Sequence, residues 1–180
     1  ELPAGLPSLR LNFAASGDGT TVWVDDVEIV EAGARSAGGD KAKRNAQTAS
    51  IPVNAKARVV TFMHAANAQD VAADYFNRGP MDKFQNQLWG QYRICYTDGD
   101  SVLIPLVYRV DIAPVNYPGV GRATDIGLFG TVGGEMLMNL PTYTWVNPHP
   151  EKKIVAIDVL AGGMPDVSLL VFGVAIESVE

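Results

Sequence analysis

An antiparallel β-sandwich is the fold class that the sequence predicts, and three observations carry it. The first is the stretch from Gln91 to Leu106, where two runs rich in β-branched and aromatic residues flank Asp98-Gly99, the strongest short-range hairpin signal. The second is a succession of short β-forming runs from Ile51 onward, separated by loops rich in Gly and Pro. The third is the lack of the crossover helices that an α/β sheet needs.

Taken in chain order, residues 9–30 read as a hairpin. Leu9, Leu11 and Phe13 alternate with polar neighbours, residues 16–20 supply a turn, and Val22 to Val30 is strongly β-forming. Two strands are marginal alone in water, so this piece either docks on the following sandwich or is the tail of an upstream domain. Residues 31–50 are dominated by Ala, Gly and small polar residues, and Gly38-Gly39 disfavours a helix, which predicts a flexible linker or loop. Residues 51–180 form the predicted sandwich domain. Residues 57–64 are a strand, and AANAQDVAADYF offers the one place for a short helix, ended by Gly79-Pro80.

In the hairpin, Tyr92, Ile94 and Tyr96 alternate with Arg93, Cys95 and Thr97, so one face is buried and the other wet. A two-residue type I′ turn at Asp98-Gly99 needs φ > 0 at both positions. Pro105 cannot donate to a ladder, which places it at an edge, a strand end or a bulge. Residues 112–135 are expected to be irregular. Residues 155–160 and 168–176 are two further strands, joined by the turn signal AGGMPD.

The composition suits an ordinary globular chain of 180 residues, with 47% apolar and 19% charged residues. A net charge of -6 argues against a nucleic-acid surface, which normally carries a clustered basic face. Cys95 is the only cysteine, so an internal disulfide and a cysteine zinc cluster are both excluded. Within a strand such a residue reads as a small buried hydrophobe. No apolar run approaches the roughly 18 residues of a membrane-spanning helix. Glu1 begins mid-pattern, so the chain reads as a processed or excised piece.

Three segments line up in order: VVTFMHAA at 59–66, YRICYTDGDSVLIPL at 92–106 and WVNPHPEKKIVAIDV at 145–159. Their succession resembles the β-sandwich accessory domains, galactose-binding-like in fold, of bacterial multidomain glycoside hydrolases. The resemblance covers roughly residues 51–178. It implies a jelly-roll sandwich, secretion, and a non-catalytic role beside the catalytic domain of the same parent chain, with a polysaccharide or oligosaccharide as ligand. VWVDDVEIV at 22–30 resembles the closing strand of carbohydrate-binding jelly rolls, in which an Asp helps hold a structural calcium. The matching residue is Asp25 or Asp26, and hard carboxylate oxygens suit Ca²⁺. Adjacent strand residues point to opposite faces, so one of the two joins such a site.

Aromatic residues are the candidate ligand contacts. Trp89, Tyr117, Phe129, Tyr143 and Trp145 fall in or beside predicted loops, where rings stack on the apolar C–H faces of sugars. His149, held between Pro148 and Pro150, is a candidate hydrogen-bond donor to a sugar. His64 shares a strand face with Val60 and Phe62 and reads as a core histidine. No catalytic residues are assigned, since no nucleophile elbow or triad pattern is present. A small polysaccharide-cleaving enzyme would have to bring Asp111, Asp125 or Glu135 together across a cleft, at about 5 Å or about 6.5–9.5 Å. A structural or protein-interaction module without glycan binding is the remaining alternative.

Overall fold

The computed structural model describes residues 21–22, 30–32, 48–68, 87–115, 123–132, 136–162 and 167–179. These residues form nine antiparallel strands, and none of them is helical. The strands are β1 (Thr21–Val22), β2 (Val30–Ala32), β3 (Thr48–Asn67), β4 (Leu88–Tyr96), β5 (Ser101–Val107), β6 (Thr124–Val132), β7 (Met136–Val146), β8 (Lys153–Ala161) and β9 (Ser168–Ser178). Together they make one curled sheet, a half-barrel whose two halves face each other.

The curl has its origin in β3. Its first half pairs with β8, from Thr48↔Leu160 to Lys56↔Lys153. Its second half pairs with β9, from Ala57↔Ser178 to Asn67↔Ser168, and with β7 over Val59–Met63. One half of the sheet is therefore β9, β3, β7 and β6, with β1 and β2 on the edge of β9. The other is β3, β8, β4 and β5. A strand serves two sheet halves by bending at bulges, and β3 has register shifts at Pro52/Ala55 and Ala57/Val59. Asn54 takes φ 56° within the first of these. Asn tolerates that conformation better than most residues.

The predicted hairpin is present as β4 and β5, and Tyr92, Ile94 and Tyr96 are buried while Arg93 and Thr97 are exposed. Its turn differs from the expected type. Gly99 alone takes positive φ, at 89°, and Tyr96 N–H reaches the Asp100 carbonyl at 3.0 Å. Gly99 N–H bonds the Tyr96 carbonyl at 3.2 Å, so the connection is a three-residue loop, a turn followed by a glycine bulge. The Asp98 carboxylate accepts from Asp100 N–H at 3.1 Å, a local bond typical of Asp in turns, and Asp98 itself does not take positive φ. Pro105 is exposed on β5, which pairs only with β4 among the described residues, and an edge is where proline is tolerated.

Two strands escape the sequence pattern. β6 lies inside the stretch expected to be irregular, and β7 was not anticipated at all. In β6 the alternation is broken at Gly127, which sits at the register shift opposite Leu140. A Cβ there would stand 2.5 Å from the Leu140 carbonyl oxygen, so close packing of β6 on β7 requires a glycine. In β7, Asn139 and Pro141 disguise the strand, although Pro141 is paired with Ile126. The turn signal after β8 does not make a hairpin, because β3 lies between β8 and β9. Strand pairing also takes up both ends of the expected linker, at Ala32 in β2 and Thr48 in β3. The first strand of the expected N-terminal hairpin and the expected short helix lie outside the described residues, apart from residues 65–68, of which Ala65, Ala66 and Asn67 end β3.

The core sits between the facing halves. Phe62 on β3 stacks on Tyr92 on β4 with ring centroids 4.1 Å apart, and Ile94, Leu106, Ile157, Val159 and Leu169 close around them. Met63, Leu140, Leu170 and Phe172 form a smaller cluster on the other side of β3 and β9. Both faces of β9 are thus covered, which is why SLLVF reads as a continuous apolar run. Replacing Gly127→Ala is expected to destabilise the protein by about 1–3 kcal/mol through overpacking of β6 on β7. Urea unfolding midpoints of the two proteins check this.

Candidate functional site

A buried polar chain ties the two halves together. His64 has both ring nitrogens engaged: Nδ1 lies 2.6 Å from the Tyr92 hydroxyl and Nε2 lies 2.7 Å from the Asp111 carbonyl oxygen. A carbonyl only accepts, so Nε2 carries the proton and Nδ1 accepts from the Tyr92 hydroxyl. Burial holds the His64 pKa down to about 4, against a raising effect of the Asp111 carbonyl, so the ring is neutral. Burial, reinforced by Tyr143, likewise pushes the Tyr92 hydroxyl well above its usual value. The core reading of His64 from its strand face agrees with this geometry.

Asp111 belongs to the tight connection that follows β5. Its carboxylate accepts from Val107 N–H at 2.9 Å, and burial raises its pKa despite that bond. The same connection continues to Ala113 and Val115, which bond the main chain of Ala66 and so close one end of the half-barrel over β3.

Next to this chain, β7 presents two aromatic rings. Tyr143 and Trp145 are two residues apart and share the inner side of the strand, paired with Phe62 and Val60. Both rings are half-buried and pack their inner parts on the core. The Tyr143 ring lies parallel to His64, at 5.9 Å between centroids. Burial, and secondarily Asp111, raise the Tyr143 hydroxyl pKa, so this hydroxyl stays protonated and able to donate. The pair presents partly exposed aromatic rings beside the buried His64 chain.

The other candidate rings are placed differently. Trp89 is 1% exposed within β4 and stacks on Tyr108 at 4.1 Å, so its ring offers no face to a ligand. Its position beside the predicted loop is inside the sheet instead, because the strand begins at Leu88. Phe129 lies in β6 opposite Asn139. Tyr117, Asp25, Asp26 and Glu135 lie outside the described residues. Asp125 is exposed on β6.

His149 lies in the short excursion between β7 and β8. Asn147, 3% exposed, anchors that excursion. Its amide donates to the Ala57 carbonyl at 2.8 Å, and its oxygen accepts from the Tyr96 hydroxyl at 2.6 Å and from His149 N–H at 2.9 Å. The His149 ring is partly exposed, edge-on to Tyr96 and 3.8 Å from Glu151. Lys152 then reaches back to Asp98, at 2.7 Å, and Asp100 at the hairpin turn. No sequence pattern pointed to Asn147 as a clasp. Pro148 and Pro150 single out the imidazole of His149 in the sequence instead.

On the outer face of the second half, Arg93 Nε donates to Asp158 at 2.9 Å, and Cys95 Sγ lies 3.6 Å from the same carboxylate. Burial pushes the Asp158 pKa up, but hydrogen bonds from Ser50 and Arg93 outweigh it and hold the carboxylate ionised. Cys95 is half-exposed there rather than buried, since it points away from the core. No group of three His, Cys, Asp or Glu with metal-binding geometry occurs among the described residues. Among the described residues no helix is long and apolar enough to span a membrane, a statement that leaves β-barrels aside.

No family model, curated protein or solved structure matches this chain. The residues themselves therefore carry the assignment.

A histidine whose pKa is about 4 when folded and 6.5 when unfolded stabilises fully above pH 6.5 and loses that contribution as pH falls to about 4. The loss is on the order of 3 kcal/mol. Urea unfolding at pH 7 and 4.5 is expected to show it, and His64→Leu is expected to flatten it while lowering stability at pH 7. Asn147→Ala leaves the Tyr96 hydroxyl and Ala57 carbonyl without their partner and is expected to cost about 2–4 kcal/mol at pH 7. Differential scanning calorimetry of the variant checks this.

Proposed function

We propose that this chain is a non-catalytic carbohydrate-binding or accessory module of a secreted polysaccharide-degrading enzyme, on a galactose-binding-like jelly-roll sandwich. The supporting observation is the pair of half-buried rings on β7, Tyr143 and Trp145. Sugar rings present apolar C–H faces that stack on such rings, while their hydroxyls exchange hydrogen bonds with polar atoms at the margin. The protonated Tyr143 hydroxyl and the partly exposed His149, four residues beyond Trp145, are the candidate polar contacts for those hydroxyls. Binding of this kind breaks no bond. The partners are a polysaccharide or oligosaccharide and the catalytic domain of the parent chain. A structural Ca²⁺ held by Asp25 or Asp26 belongs to the same reading.

A second reading, a structural or protein-interaction sandwich that braces a neighbouring domain, is favoured by two observations. The buried polar side chains His64, Asn147 and Asp158 spend their hydrogen bonds on the sandwich itself, and β5 leaves an edge with Leu103 54% exposed. The reading as a polysaccharide-cleaving enzyme draws on Asp111, Asp125 and Glu135. The Asp111 carboxylate is engaged by Val107 N–H.

Affinity electrophoresis on a panel of soluble plant, algal and bacterial polysaccharides, with and without EDTA, separates these readings. Retardation by one glycan is expected, and Trp145→Ala is expected to weaken it roughly tenfold, about 1.4 kcal/mol, and to lower the thermal midpoint through the core packing it removes, so binding is compared at a temperature where both proteins are folded. Retardation lost with EDTA supports calcium. No retardation by any glycan overturns direct binding and leaves the bracing role, which predicts a concentration-dependent mass. New reducing ends or unsaturated products would instead support the enzyme.

A further inference from the structure

We draw no further inference here: the strongest candidate, the outer face of β4, β5 and β8 with the Arg93–Asp158 ion pair, the half-exposed Cys95 and the exposed Leu103, carries nothing because no feature of the structure shows what covers it.

Discussion

The twenty residues of β3 have to hydrogen-bond into two facing halves of one sheet, and the bend that this demands is made within a few residues of Asn54. Everything inward depends on that bend. It turns Phe62 and His64 toward β4, so that a ring stack and a hydrogen bond, rather than apolar contact alone, fix how the halves face each other. A straight β3 would leave a flat sheet with Tyr92 on an open face. The bulges at Pro52/Ala55 and Ala57/Val59 are therefore architectural, as bulges at sheet corners generally are.

Polar groups inside the core narrow the ways in which the halves can meet. A purely apolar interface tolerates sliding, whereas His64 must find an acceptor-bearing carbonyl on one side and a hydroxyl on the other. Asn147 plays the corresponding part at the far end, joining β3, the hairpin and the excursion between β7 and β8 through one amide. An unmade bond at either place leaves a desolvated donor or acceptor, so the arrangement is held by penalty as much as by attraction.

Strands with local signals were legible in the sequence. The hairpin carried period-two alternation and a turn dipeptide, and β8 and β9 carried apolar runs bounded by turn residues. β6 and β7 were not, because their fit depends on each other: Gly127 makes sense only against the Leu140 carbonyl, and Pro141 only opposite the shifted register at Ile126. The candidate site shows the same division. That Tyr143 and Trp145 would share a face followed from their spacing once β7 was a strand, but the burial of Trp89 required knowing that Tyr108 comes back to cover it. Asn147 was hidden for a further reason. Its three partners, on Ala57, Tyr96 and His149, come from separate segments, and a side-chain amide has no periodicity of its own.

The pairing of β3 also bears on how the chain reaches this state. Both ladders of β3 wait for strands near the other end of the sequence, and Ala57 meets Ser178 only when almost the whole chain is present. Loop-closure entropy must be met before those contacts form, which makes such non-local topologies slow to fold. During synthesis β3 emerges long before β8 and β9, with its apolar face uncovered. The β4–β5 hairpin, closed by a three-residue loop, is the part that can form early and offer Tyr92 as a first surface for Phe62.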